Sequence, residues 1–200
     1  MGTKTENVDV EHFNKRAPSY ENASSQGYFF DRVQRRVLSL AKVQANPKII
    51  LDVGCGTGRL LRKAKQQWPN ASLVGVDAAE KMIEQATRLL PEAQFHVALA
   101  EALPLPDTSV DLAFSTLSFH HWTNQAKGIS EVARVLRPAG RFLLADIVIP
   151  RWLLVFVRHF RYNSPARIRE MFDQARLNVE LQQQPWRWSR VLLLTVGSKS

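Results

Sequence analysis

The stretch Ile49-Ile50-Leu51-Asp52-Val53-Gly54-Cys55-Gly56-Thr57-Gly58 constrains this chain more than any other. An apolar run meets a carboxylate at Asp52, glycines then occupy alternate positions, and helical spacing begins at Leu60. That order reads as a buried strand turning sharply into a helix, with side chains deleted where the backbone approaches something closely. A turn of this kind brings main chain against a nucleotide-like ligand at the carboxyl end of the strand.

The rest of the chain supplies the sheet such a turn needs. Strands are expected at Lys48–Val53, Ser72–Asp77, Gln94–Ala98, Asp111–Ser115 and Arg141–Ile147. Between them, Leu60–Gln67, Glu80–Leu90 and Gln125–Leu136 carry apolar residues at helical spacing. Near-continuous apolar strands alternating with helices imply an α/β fold whose mostly parallel sheet has helices on both faces. Ser164 followed by Pro165 reads as the N-cap and first-turn proline of a helix to about Ala175. Val179–Gln183 and Val191–Gly197 then read as a C-terminal antiparallel hairpin finishing the sheet.

Composition narrows the partners. The 200 residues, 45% hydrophobic, suit one globular unit with a substantial core. The net charge is +9, of which the eight arginines and Lys199 from Arg151 onward, against Glu170, Asp173 and Glu180, supply +6. A basic surface attracts nucleic acid, anionic lipid or an acidic substrate, or is simply a solvated face. These arginines are dispersed, without zinc-knuckle spacing or an aromatic-glycine signature, which disfavours nucleic acid without excluding it. The single Cys55 forbids an internal disulfide and suits a reducing, cytoplasmic setting. The first dozen residues are polar, so no secretory leader is expected, and the apolar run Trp152–Val157 is too short to span a bilayer.

The ligand follows from spacing. A dinucleotide fingerprint needs glycine at the first, third and sixth positions of its turn; counted from Gly54, the sixth is Arg59. A nicotinamide-dependent oxidoreductase is therefore disfavoured. The second strand ends in Asp77, where a carboxylate is placed to accept both hydroxyls of a ribose. An aspartate at a strand end also serves as an ordinary helix cap.

The segments ILDVGCGTGRLL, LVGVDAAEKMIEQA, AEALPLPDTSVDLAFSTLSFHHW and EVARVLRPAGRFLLADI resemble the class I S-adenosylmethionine-dependent methyltransferases. The resemblance is to the broad group that includes ubiquinone/menaquinone biosynthesis and small-molecule methyltransferases. It spans about Phe13 to Ile147 and implies a Rossmann-like, seven-stranded sheet. It also implies a helical lid over residues 1–46 and the methyltransferase domain over 47–200. The implied activity is methyl transfer from S-adenosyl-L-methionine to a small-molecule acceptor through oxygen, nitrogen or activated carbon (EC 2.1.1.-), by a monomer or homodimer.

Carried onto this sequence, the resemblance implies that Gly54, Gly56 and Gly58 line the methionine and ribose portions of the cofactor, with Cys55 contributing backbone. Asp52 would orient the methionine amino group and Asp77 the ribose hydroxyls. Ala78 and Met82 would lie beside the adenine, although Met82 also reads as helix core. Relatives in this family usually carry an aspartate that accepts from the adenine amino group; here Leu99 stands there, beside Ala100, leaving the ring to apolar packing and the neighbouring backbone groups. Glu101 is read as compensating or as part of the turn. The backbone near Ser115 would face the sulfonium.

On the acceptor side, no Asp/Asn-Pro-Pro-Tyr run is present, which disfavours amide and base-amine acceptors. His120 is a candidate general base for a phenol or similar nucleophile; alternatively His120 and His121 merely start a helix. The pair lacks a third ligand, so no metal is expected. His12–Tyr20 resembles the family's Phe-x-x-x-Ala-x-x-Tyr segment, which implies a lid closed by Tyr20 with Phe13 packed beside it. A further cover is expected from Pro150–Tyr162, with Trp152, Leu153, Phe156 and Val157 on its apolar face. Two readings compete with a small-molecule enzyme: an RNA methyltransferase, and a cofactor-binding partner subunit without catalysis of its own.

Overall fold

The apolar strands pair through the middle of the sequence rather than in its order. A computed structural model describes residues 4–22, 24–44, 46–148, 162–184 and 192–200 of the chain. Its strands are β1 (Ile49–Val53), β2 (Ser72–Asp77), β3 (Gln94–Val97), β4 (Val110–Thr116), β5 (Leu136–Ile147), β6 (Leu177–Gln183) and β7 (Leu192–Lys199). They form one seven-stranded sheet in the order β3-β2-β1-β4-β5-β7-β6. β1 to β5 run parallel, and β7 lies antiparallel between β5 and β6. The C-terminal pair is thus a hairpin whose second strand inserts next to the parallel set.

The helices are α1 (Lys4–Arg16), α2 (Ser24–Ala41), α3 (Arg59–Gln67), α4 (Glu80–Leu89), α5 (Gln125–Val135) and α6 (Pro165–Gln174). Both sheet faces are covered. Val33 and Val37 of α2 and Leu60, Leu61 and Ala64 of α3 share one core with Ile50, Leu112 and Leu143. Ile129 and Val132 of α5 and Ile168 and Phe172 of α6 share the other with Leu51, Ala113 and Phe142. The alternation of inward residues along each strand sends neighbouring side chains into opposite cores, which is why these strands are apolar throughout.

Element ends hold to the expected chemistry. Asn124 caps α5, its side chain accepting from Lys127 N at 3.1 Å, and Ser164 caps α6 by accepting from Arg167 N at 3.3 Å. β5 begins earlier than expected because Leu136 already pairs with Val110; the next pair is Arg141 with Leu112. The intervening Arg137-Pro138-Ala139-Gly140 bulges out, with Ala139 at φ 61°. Pro138 has no N–H to give a neighbouring strand, so the pairing resumes only beyond it.

Strand order reverses at one place. From β1 the chain steps outward to β2 and β3, then returns to place β4 on the other side of β1. Loops leaving the carboxyl ends of β1 and β4 diverge there and open a crevice, the usual ligand position in open α/β sheets. The expected cover between Pro150 and Tyr162 lies, apart from Tyr162 itself, outside the described residues. Among the described residues no helix is long and apolar enough to cross a membrane.

Candidate active site

A cavity of about 550 Å³ fills that crevice, bounded by the ends of β1, β2 and β4 below and by α1, α2 and their connection above. On its sheet side the cavity is shaped by two aspartates. Asp52, only 2% exposed, leaves its Oδ1 without a hydrogen-bond partner. Burial, helped by the neighbouring charge of Asp77, pushes its carboxyl up to about 8. Asp77 is employed differently: Oδ2 accepts from Gly56 N at 2.8 Å and Oδ1 from Ala79 N at 2.9 Å. Burial raises its carboxyl too, opposed by those backbone hydrogen bonds. One side chain therefore fixes the glycine turn and the start of α4 together.

The three glycines have three different reasons to be glycine. All take positive φ, at 73°, 52° and 75° for Gly54, Gly56 and Gly58. A side chain on Gly54 would collide with Ser118 Oγ at 2.2 Å. Ser118 Oγ donates to Val53 O at 3.0 Å and lies 2.9 Å from Ser115 Oγ, tying the ends of β1 and β4. A side chain on Gly58 would press on Phe95 and Ala86. Only a side chain on Gly56 would project into open space, its nearest neighbour being the Tyr20 ring at 4.0 Å.

Residues 51–144 match the family model described as Methyltransferase domain. The chain is 29% identical over 152 residues to demethylmenaquinone methyltransferase of Thermotoga maritima, spanning 75% of this chain and 66% of that protein. It is 37% identical over 123 residues to the Thermus thermophilus demethylmenaquinone methyltransferase, spanning 60% of this chain and 56% of that one. The chain thus spans between half and two thirds of the length of these relatives. Its fold superposes on a TehB-like SAM-dependent methyltransferase from Corynebacterium glutamicum with a TM-score of 0.74 and 20% identity, covering 95% and 99% of the two chains. Residues 51–144 of this chain thus carry the methyltransferase-domain match, within a fold shared with such enzymes.

Most of the residues expected at a methyltransferase site meet in the cavity. Asp52, Gly54, Cys55, Gly56, Asp77, Ala78, Met82, Leu99, Ala100 and Glu101 all line it, as do Tyr20 and His120. Two do not. Gly58 is turned into the packing of α3 against Phe95, and Ser115 is fully buried behind the wall, bonded to Ser118. The corresponding surface lies one step on, at Thr116, Leu117 and Ser118, where Leu117 takes φ 56° as the chain leaves β4. The expectation concerned the backbone near Ser115, and these residues follow it directly in the chain.

Met82 lines the cavity and is also packed with Ala17 and Ala79 as helix core. Glu101 belongs to the turn, its Oε1 accepting from Asn124 N at 2.7 Å. Leu99 lies at the wall and is 41% exposed. The Cys55 thiol is raised well above its usual range by burial and by Asp77 and Asp52, which leaves it an inert small side chain.

The upper wall is aromatic. Phe13 meets His121 edge-on at 5.0 Å, Tyr20 meets Phe30 edge-on at 6.4 Å, and Asn14 Oδ1 accepts from Lys81 N at 2.9 Å, docking α1 on the start of α4. His120 and His121 complete the single 3-10 turn Phe119–His121, and the following helix starts only at Gln125. His120 also bonds Asp146, a residue the sequence reading passed over. Yet Asp146 carries the signal that singled out Asp52 and Asp77, an aspartate closing an apolar strand. Among the described residues, no group of three or more His, Cys, Asp or Glu is placed to hold a metal ion.

Proposed function

We propose that this protein transfers the methyl group of S-adenosyl-L-methionine to a small organic acceptor, as a member of EC 2.1.1.-. The observation that carries this reading is the unpartnered Asp52 Oδ1, nearly fully buried yet lining the cavity beside a glycine turn already fixed by Asp77. A buried carboxylate without a partner is costly and calls for a cation. The α-ammonium of the cofactor is such a cation. The open side of Gly56 leaves room for the ribose beside Asp77, and Ala78, Met82 and Leu99 offer an apolar surface to the adenine.

When bound, the cofactor supplies a methyl group already activated on a sulfonium, so the protein need only orient the acceptor and exclude water. α1, α2 and the turn that carries Tyr20 act as the cover: Phe13, Tyr20, Phe29 and Phe30 close the cavity from above and give an apolar body a place to lie. The relatives named for a quinone substrate support a small acceptor with such a body. The buried, inert Cys55 accords with a cytoplasmic setting.

An RNA acceptor is the second reading, favoured by the outer face of α2, where Tyr28, Arg32, Arg35 and Arg36 cluster and Arg32 lies over the Tyr28 ring at 5.8 Å. Titration calorimetry with S-adenosylhomocysteine tests the main proposal. Binding that falls at least about tenfold in Asp77→Ala is expected, from the loss of charge-assisted hydrogen bonds. Binding of a nicotinamide dinucleotide in its place overturns it. RNA binding whose affinity falls steeply with salt would move the acceptor to the second reading.

A further inference from the structure

Asp146 closes β5 at 1% exposure and spends both oxygens on one neighbour and its own chain. Oδ2 accepts from the His120 backbone N–H at 3.0 Å. Oδ1 lies 2.6 Å from His120 Nδ1 and also accepts from Ile147 N at 2.5 Å. An ionised carboxylate can only accept, so in the neutral imidazole the proton sits on Nδ1 and the lone pair on Nε2. Nδ1 is turned to the buried end of β5, which leaves Nε2 on the far edge of a ring that lines the cavity. Among the described residues, the titratable groups facing that ring are Asp146, His121 with ring centres 4.1 Å apart, and Tyr162 stacked at 5.3 Å and 30°. Burial and the charge of Asp146 raise the Tyr162 phenol, so it stays neutral beside the pair.

We infer that His120 Nε2 is the proton acceptor for a phenolic or enolic hydroxyl on an apolar acceptor, with Asp146 as the residue that positions it. The inference rests on the methyl-transfer reading above and names the acceptor class for that site. A carboxylate acceptor is ionised at neutral pH and needs no base, while a neutral amine attacks first and sheds its proton to water afterwards. A phenol, with a pKa near 10, is almost wholly protonated, and its oxygen becomes a strong nucleophile only as the proton leaves. The hydroxyl proton passes to Nε2 as the oxygen–methyl bond forms; the methyl–sulfur bond breaks and its electron pair stays on sulfur. The resulting imidazolium faces the Asp146 carboxylate across 2.6 Å and returns its proton to solvent after release. Phe13, Leu117 and Ile147 provide the apolar wall for the acceptor's ring.

Heteronuclear NMR of nitrogen-labelled protein saturated with S-adenosylhomocysteine reads the tautomer directly. His120 is expected with its proton on Nδ1 in the native protein. In Asp146→Asn the His120 backbone N–H claims the amide oxygen, the amide NH₂ then faces Nδ1, and the proton moves to Nε2. A native ring protonated on Nε2, or on both nitrogens, at neutral pH overturns the assignment, and this reading does not depend on any variant folding.

Absorbance titration of the same complex with para-cyanophenol is the second measurement. The phenolate spectrum is expected on binding to the native protein and only the neutral phenol in His120→Gln. No ionisation, or no phenol binding, overturns the hydroxyl class. Failure of S-adenosylhomocysteine itself to bind strikes the methyl-transfer reading instead. Where methyl transfer to the phenol is followed, His120→Gln loses about 100-fold or more.

Discussion

The two halves of the cavity are built in opposite ways. The half formed by Gly54–Thr57, Asp52 and Asp77 is assembled from two adjacent strand ends and held by main chain: Gly54 N and Cys55 N both donate to Val76 O, at 2.7 and 3.1 Å. The half around His120 is assembled from side chains, with Asp146 reaching across 26 positions of sequence to orient one imidazole. A main-chain cradle pinned by one carboxylate presents a fixed shape, so it suits a ligand that stays constant. A side-chain wall changes with each substitution, so it suits the ligand that varies. The glycines sharpen this contrast, because only Gly56 faces the ligand space while Gly54 makes room for Ser118, the bolt between the two halves.

The contrast can be broken most forcefully at those glycines. Gly54→Ala adds overpacking against Ser118 to left-handed backbone strain and is expected to cost on the order of 3 kcal/mol in chemical denaturation. Gly56→Ala is expected to cost about 1 kcal/mol, the strain alone, while S-adenosylhomocysteine affinity drops more than stability does. Adding Ser118→Gly should recover part of the loss in Gly54→Ala and none in Gly56→Ala. Equal costs at both positions would sink the distinction.

Next in size is Asp77→Ala, which strands the Gly56 and Ala79 N–H groups. A loss of about 2 kcal/mol in thermal stability is expected, with Asp77→Asn intermediate because one acceptor oxygen remains. If stability is unchanged while cofactor affinity falls, Asp77 serves the ligand only and the turn holds itself.

Asp52 gives the pH dependence. Its carboxyl is raised in the folded protein, so its contribution to stability is fullest in acid, below the unfolded carboxylate range, and is lost as pH rises through about 8. A bound ammonium favours the ionised form, so binding should release a proton and strengthen as pH rises toward 8, then level off. Calorimetry in buffers of different ionisation enthalpy counts that proton. Affinity that weakens over this range, or a slope that survives in Asp52→Asn, would remove the ammonium from beside Asp52.

The smallest effect is at Leu99. Leu99→Asp supplies the absent adenine acceptor at an exposed wall position, and a gain of about fivefold in S-adenosylhomocysteine affinity, roughly 1 kcal/mol, is expected. No gain would mean that the backbone of the Ala98–Glu101 turn already satisfies the ring.

Legibility divides along the same line. β1 and β2 fall within a residue of their expected spans because each is a short apolar run ended by turn residues. β5 does not, since its early start depends on Val110 meeting Leu136, a pairing no local pattern announces. Asp52 and Asp77 were legible because strand, carboxylate and glycine turn follow one another along the chain. Asp146 was missed although its strand-end position matches theirs.

By itself the sequence determined the sheet, its helices and the glycine-and-aspartate end of the cavity, because period-two and helical spacing and left-handed glycine are local properties of the chain. Only the tertiary structure decided which glycine faces the cavity and which nitrogen of His120 meets Asp146. Those depend on Ser118 and Asp146, brought to the ends of β1 and β4 by sheet order. A contact between residues 26 or 65 positions apart leaves no periodic trace in sequence.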